Sequence, residues 1–343
     1  MTEFASVKEK FNELIRGKSV LITGGTGSFG QALVKSMLLS VPVKRIVIFS
    51  RDEMKQWEMQ KKFKHDSRLR FMIGDIKDLD RLKRALKGVD FVVHAAAMKI
   101  VPLAEYNPIE FVNTNINGTI NVVNACIDSN VKRMVALSTD KASSPINLYG
   151  ATKLAADKLC VAGNIYSGKN GCTFSVVRYG NVMGSRGSVI PLFLKEKDVG
   201  KLPITDSEMT RFMISLEQAI ETVMLAFVDM LGGEIYVRKI PSMKVVDIAK
   251  SIAPEATLLE VGIRPGEKLH EQMISEEDSL NTIEYENYFK ILPEIQDEIR
   301  SGGSIKSGKK MQARTTYASN TNTQWMTKAE LRDWIKQNSG EFL

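Results

Sequence analysis

Sixteen consecutive residues, Ser138 to Lys153, gather one acid, two amines, a phenol and several hydroxyls in the order Ser-Thr-Asp-Lys-Ala-Ser-Ser-Pro-Ile-Asn-Leu-Tyr-Gly-Ala-Thr-Lys. Tyr149 and Lys153 are four apart, so a helix starting near Tyr149 presents both on one face. An ammonium beside a phenol favours the phenolate, drawing its pKa toward the range in which it takes a proton from an alcohol. The plainer reading is a half-buried aromatic beside a solvated lysine, because a lone Tyr-x-x-x-Lys matches by accident. The company of Thr139, Asp140 and Lys141 favours the chemical reading.

Those groups need a scaffold. Met134 to Leu137 is short and apolar and suits a buried strand, which sets Ser138 to Lys141 at its carboxyl end. Ligands of open α/β sheets bind at that edge. Pro145 interrupts regular structure before the helical pattern begins. Nearer the start, Ser19-Val-Leu-Ile-Thr reads as a strand running into Gly24-Gly25-Thr26-Gly27-Ser28-Phe29-Gly30 and a helical pattern through Leu39. Glycines 24, 27 and 30 let backbone amides approach a pyrophosphate at the positive end of that helix, and the strand–glycine–helix order marks a dinucleotide site.

A second strand, Arg45 to Phe49, ends in Ser50-Arg51-Asp52-Glu53, with Lys55 just beyond. A hydroxyl followed by arginine suits the 2′-phosphate of NADP better than the bare ribose of NAD. Alternatively Arg51 is a surface charge, and Asp52 and Glu53 cap the next helix. After a strand from Leu69 to Ile73 comes Asp75-Ile76, where Asp75 either bonds the adenine amine or caps the helix before Leu79. A strand from Asp90 to His94 leads to Ala95-Ala96-Ala97, small side chains that admit a flat ligand such as nicotinamide. Lys99 then meets phosphate or is solvated, and Asn115 either caps the helix through Asn117-Gly118-Thr119 or steadies the backbone of the site.

With 343 residues, 43% hydrophobic and 25% charged, the chain has the composition of a soluble globular protein. No apolar run approaches the ~20 residues that span a bilayer. The acid-containing start lacks the apolar segment of a secretory signal, so a cytoplasmic protein without membrane contact is expected. Cys126, Cys160 and Cys172 are odd in number and set among apolar residues, which predicts buried free thiols. Three scattered histidines argue against a metal centre. The net charge of +7 is spread along the chain without interleaved aromatics, which excludes nucleic acid and favours a nucleotide-type substrate.

The periodicity of Phe4, Val7, Phe11, Leu14 and Ile15 predicts an opening amphipathic helix that packs or meets another subunit. After a strand at Phe174 to Val177 comes a polar, glycine-punctuated loop, Arg178 to Pro191, that suits a binding wall through Ser185, Arg186, Gly187 and Ser188. Helices are expected at Leu192 to Leu194, Leu216 to Leu231 and Val245 to Ile252. Between Glu260 and Lys268 a charged turn places Arg264 to pair with a diphosphate. Residues 301–323 are polar and wrap or stay mobile, and a short helix closes at 325–335. The expected fold class is α/β, a Rossmann-type doubly wound parallel sheet with a smaller C-terminal substrate lobe. Its parts are a helix at 1–18, the cofactor domain at 19–180, the lobe at 181–300 with a return to the core allowed, and a tail at 301–343.

The glycine motif, Asp75-Ile76, the alanine-rich strand end and Tyr149-x-x-x-Lys153 together resemble the extended short-chain dehydrogenase/reductases. More narrowly, Phe49-Ser50-Arg51-Asp52-Glu53, His94-Ala95-Ala96-Ala97-x-Lys99, Ser138-Thr139-Asp140-Lys141-Ala142, Arg178-Tyr179-Gly180-Asn181-Val182, Gly184-Ser185-Arg186-Gly187-Ser188-Val189 and Arg264-Pro265-Gly266-Glu267-Lys268 are similar to the nucleotide-sugar dehydratases. The resemblance covers roughly residues 18 to 335. Asp140-Lys141 departs from the Asp-Glu of dTDP-glucose dehydratases, and Tyr149 departs from the methionine of some membrane-anchored relatives.

The resemblance implies dehydration of UDP-N-acetylglucosamine at carbons 4 and 6 with inversion at carbon 5, using bound NADP. That reaction opens pseudaminic acid-type synthesis for flagellin glycosylation. It implies Tyr149 and Lys153 as the oxidation pair, a neutral Lys141 as base at carbon 5, Asp140 as acid at carbon 6, and Thr139 orienting the carbon 4 oxygen. It further implies that Asn181, Val189, Thr205, Met209, Arg264 and Glu267 line the UDP-sugar site with Lys99, and that copies assemble as hexamers or dimers. The competing expectations are a UDP-sugar 4-epimerase and a non-catalytic NADP-binding protein.

Overall fold

A computed structural model describes residues 3–185, 187–294 and 308–338. Helix α1 (Glu3–Ile15) leads into β1 (Ser19–Thr23), α2 (Ser28–Ser40), β2 (Arg45–Ser50), α3 (Glu53–Lys62), β3 (Leu69–Ile73), α4 (Leu79–Ala85) and β4 (Phe91–His94). Short helices α5 (Val101–Tyr106) and α6 (Pro108–Phe111) and a π-helical turn (Val112–Asn117) precede α7 (Gly118–Asp128), β5 (Arg133–Thr139), α8 (Leu148–Ser167) and β6 (Thr173–Tyr179). Next come β7 (Asn181–Val182), α9 (Val189–Glu196), β8 (Lys201–Ile204), β9 (Thr210–Ile214), α10 (Leu216–Asp229), β10 (Ile235–Arg238), β11 (Ser242–Lys244), α11 (Val245–Ile252) and β12 (Thr257–Glu260). The described chain finishes with β13 (Gln272–Ile274), α12 (Glu276–Ser279), β14 (Thr282–Glu284), β15 (Tyr288–Ile291), β16 (Lys309–Lys310), β17 (Tyr317–Ala318) and α13 (Lys328–Asn338).

The central sheet runs β16-β14-β15-β10-β6-β5-β4-β1-β2-β3. From β3 to β10 neighbouring strands are parallel, and β15, β14 and β16 extend the edge antiparallel. The parallel part has the 3-2-1-4-5-6 order of a doubly wound dinucleotide fold. Parallel strands covered on both faces need unbroken apolar runs, and all five residues of β1 are buried. Strand β10 (235–238) and strands β14 and β15 (282–291) thus return the chain to the main sheet, between segments that build a second apolar cluster. That cluster centres on Ile190, Phe193, Leu202, Met209, Ile248 and Leu331, drawn from α9, β8, α11 and α13.

Helix α1 is held by burial of Phe4, Val7, Phe11 and Ile15 against the core, with the Phe11 ring 5.9 Å from Phe227 of α10. The three cysteines are free and buried, as expected. No helix among the described residues is long and apolar enough to cross a membrane. The polar stretch wraps where it is described: Ser319 and Tyr317 are buried, and residues 301–307 lie outside the described residues.

Candidate active site

At the carboxyl edge of the sheet, β1 turns sharply at Gly24, whose φ of +65° is a left-handed conformation that favours glycine. A Cβ there would lie 2.9 Å from the Ala96 backbone, so only glycine lets the ends of β1 and β4 approach. Gly27 caps α2 without any side-chain hydrogen bond, which leaves the amides of that helix start pointing outward for an anion. Thr26, Ser28, Phe29 and Gly30 complete this turn, with Phe29 stacked 6.4 Å from Tyr179. Ala95 and Ala96 donate backbone N–H to Thr23 Oγ1. Behind them His94 is buried between Thr23 and Thr119, and burial lowers its pKa to about 3, so it is a neutral structural residue.

The β2 tip follows both readings of its sequence. Asp52 caps α3 by accepting the Lys55 N–H at 3.0 Å, and the Lys55 ammonium sits 3.1 Å from the same carboxylate. Ser50 Oγ accepts from Gln56 and keeps its own proton to donate. Arg51, with a side chain 61% exposed, reaches 3.6 Å from Asp75. Asp75 does not cap α4, because Asp78 takes that position and accepts from Arg81. Asp75 instead accepts the Lys77 N–H, and Ile76 is buried beneath Gly118. Asn115 lies in the π-helical turn rather than at a cap: it bonds both Met98 backbone groups and Thr152, so it steadies the segment after β4. Lys99 is exposed just beyond that segment.

Residues Asp140 to Ala142 form a 3-10 turn at the end of β5, and Asn147 caps α8 by accepting the Gly150 N–H at 2.7 Å. Helix and turn press together so closely that a Cβ on Gly150 would stand 2.2 Å from the Lys141 carbonyl oxygen. Tyr149 and Lys153 therefore face the same edge as Thr139, Asp140 and Lys141, all but Thr139 and Lys141 being fully buried. The Thr139 hydroxyl donates to Asp140 Oδ1 at 3.0 Å, and its proximity favours the Tyr149 phenolate. Lys153 Nζ donates to the Leu137 carbonyl at 2.7 Å.

Two electrostatic expectations are corrected. Burial pushes the Tyr149 phenol up to about 12, and the charge that opposes this is Lys141 rather than Lys153. Burial also lowers Lys153, with Asp157 supporting its charge. Lys141 is not neutral. Burial works against its charge, but Asp140 at 3.0 Å and Glu271 at 2.9 Å outweigh it and hold an ammonium. Asp140 is raised, first by burial and then by the Glu271 charge, so it leans toward its protonated form.

The substrate candidates come from the second cluster. Asn181, Ser188 and Val189 line a small pocket with Arg211. Ser185, Gly187 and Thr205 are only partly covered or exposed nearby in sequence, Met209 is buried in the cluster core, and Arg186 lies outside the described residues. The charged turn folds back on the stretch between β5 and α8: Asn147 Nδ2 donates to the Gly266 carbonyl at 2.7 Å, and Lys268 Nζ donates to the Ser143 carbonyl at 2.7 Å. Within it Arg264 and Glu267 bond each other, by a Glu267 N–H to Arg264 carbonyl link of 3.0 Å. Sequence reasoning missed Glu271, Arg211 and the tethering role of Asn147. An asparagine just before a helical pattern was a readable cap signal. Nothing in the spacing joined Glu271 to Lys141.

Residues 20–293 match the family described as polysaccharide biosynthesis protein. A Campylobacter jejuni protein named UDP-N-acetylglucosamine 4,6-dehydratase (inverting) is 50% identical over 95% of this chain and 100% of its own length. A Rickettsia typhi protein named UDP-glucose 4-epimerase is 39% identical over 93% of this chain and 95% of its own. Among solved structures, Pen from Bacillus thuringiensis superposes with a TM-score of 0.86 at 38% identity, covering 95% of this chain and 99% of that one. A double mutant of the dTDP-glucose 4,6-dehydratase DesIV from Streptomyces venezuelae, with NAD bound, gives 0.66 at 26% identity over 73% of this chain and 86% of its own. With its 3-2-1-4-5-6 sheet and its tyrosine–lysine helix, the chain belongs to the polysaccharide biosynthesis protein family, on the extended short-chain dehydrogenase/reductase fold.

Proposed function

We propose that this chain is a UDP-N-acetylglucosamine 4,6-dehydratase that inverts carbon 5, acting at the start of a pseudaminic acid-type route. The observation that supports it most is the 50% identity, along the whole length, with a relative carrying that name. The convergence of Asp140, Lys141, Tyr149 and Lys153 on one sheet edge supports it independently. The residues at the glycine turn and the β2 tip suit a nicotinamide dinucleotide, as the uncapped α2 start and the close packing at Gly24 indicate. NADP is the form favoured by Arg51 and Lys55 beside Ser50. Such a dinucleotide supplies a reversible hydride acceptor for sugar carbon 4.

Tyr149, in its phenolate form, takes the proton from the carbon 4 hydroxyl, and the nearby Lys141 charge favours that phenolate. Asp140, buried and inclined to hold a proton, delivers it to the departing carbon 6 hydroxyl. Lys141 removes the carbon 5 proton in the fraction of molecules in which its ammonium has released its proton to bulk water. Acid and base with these requirements produce a bell-shaped dependence of rate on pH. Asn181, Val189, Arg264 and Glu267 hold the UDP-sugar against the α8 start.

Purified protein with UDP-N-acetylglucosamine in deuterium oxide, followed by proton NMR, tests the reading. A 6-deoxy methyl signal with deuterium at carbon 5 and couplings of the inverted ring is expected. Formation of the carbon 4 epimer alone replaces the dehydratase with an epimerase.

A further inference from the structure

Three charged groups meet at the end of β5 in an arrangement that the elimination chemistry does not by itself require. Lys141 Nζ lies 3.0 Å from Asp140 Oδ1 and 2.9 Å from Glu271 Oε1, and both carboxyl side chains are 1% exposed. Arg211 of β9 stands 3.7 Å from the same Glu271 oxygen. Each carboxyl also has one buried oxygen with no partner, Asp140 Oδ2 and Glu271 Oε2. Asp140 Oδ2 points toward Gly180, where a Cβ would come within 3.3 Å of it.

Two buried carboxylates around one ammonium do not both ionise readily, because like charges in a dry site raise the proton affinity of one of them. Glu271 has two cations beside it, whereas Asp140 has one and shares it. The charge therefore settles on Glu271 and the proton on Asp140.

We propose that Glu271 is a positioning residue that supplies the standing counter-charge for Lys141, so that Asp140 carries the proton it delivers to the sugar. The inference rests on the dehydratase reading. The other charged or titratable groups around this cluster are Lys268 and His270 from the stretch before Glu271, His270 lying beside Arg211, with Tyr149 from α8 and Arg178 from β6. The pKa directions agree: burial opposes ionisation of Glu271 but Lys141 and Arg211 lower it, while Asp140 is raised.

Dehydration rates of the wild type and Glu271→Gln, measured across pH, test this. Removing one negative charge lowers the proton affinity of both Asp140 and Lys141, so the whole bell moves toward acid by about one unit or more. On the alkaline limb the variant is then roughly tenfold slower than the wild type, and lowering the pH recovers it. Glu271→Asp, which keeps the charge, retains the wild-type optimum. Arg211→Gln removes a cation and moves the bell the opposite way, which carries the test if Glu271→Gln fails to fold. A rate reduced equally at every pH, with an unmoved optimum, overturns the inference and leaves Glu271 structural. A wild type that forms no 6-deoxy product overturns the dehydratase reading and this inference with it.

Discussion

Replacing Lys141 with methionine removes the ammonium that ion-pairs with two buried carboxyls, Asp140 and Glu271. Breaking a buried ion pair by deleting one partner costs about 3–5 kcal/mol, and the 22% exposure of Lys141 argues for about 3. The loss depends on pH in a direction that can be worked out. In the wild type, the carboxylates outweigh burial and raise the Lys141 pKa above its unfolded value. Its contribution is therefore complete below the unfolded lysine pKa and is lost only as pH rises through the folded one. In the variant, Glu271, ionised beside Lys141 in the wild type, takes up a proton on folding in addition to the one that Asp140 holds in both proteins. The variant's native state then binds one proton more than the wild type's above about pH 4, and the gap between them grows by about 1.4 kcal/mol per pH unit until that proton is lost. The gap between wild type and Lys141→Met is thus small near about pH 5 and reaches about 3 kcal/mol near pH 8. Urea unfolding of both proteins at the two pH values measures it. A gap below about 1 kcal/mol at the higher pH, or one that does not change with pH, refutes the electrostatic account and leaves only the lost packing.

Arg51→Ala removes the exposed cation at the β2 tip and weakens NADP binding about 10- to 100-fold while sparing NAD, as competition titrations with the two dinucleotides would report. Gly150→Ala drives a Cβ into the Lys141 carbonyl and displaces the catalytic turn; overpacking costs about 1–3 kcal/mol in stability, and solvent exchange at carbon 5 falls far more than thermal stability does. An Asn147→Ala protein loses both the α8 cap and the link to Gly266, so it unfolds about 1 kcal/mol more easily and its KM for the UDP-sugar rises. An unchanged KM in that variant means the charged turn reaches the sugar by another route.

Local patterns in the chain were enough to place the nucleotide end of the site. The strand–glycine–helix order at 19–39 appears as β1, the Gly24 turn and α2, because backbone sterics at a left-handed glycine and amides at a helix start are properties of neighbours in sequence. Tyr149 and Lys153 share a helix, and Val245–Ile252 is the helix its apolar spacing predicted. Two positions left open by local pattern were decided by the fold: Asp78 rather than Asp75 caps α4, and Asn115 takes the backbone-steadying alternative, its amide bridging two segments.

Protonation was the part that one stretch of chain did not reveal. The family resemblance implied a neutral Lys141, and Tyr149-x-x-x-Lys153 suggested a phenolate held by its own helix. Charge states depend on what lies within a few ångströms and on how much water is excluded, and both are set by chain segments brought together from far apart. Sequence by itself determined the doubly wound sheet, the glycine turn and the alignment of the reactive groups on β5 and α8. Only the tertiary structure decided that Glu271 and Arg211 close around Lys141, that burial lifts Tyr149, and that the loop at Gly266 is tied to Asn147, since pairing across the fold is not encoded in spacing along it.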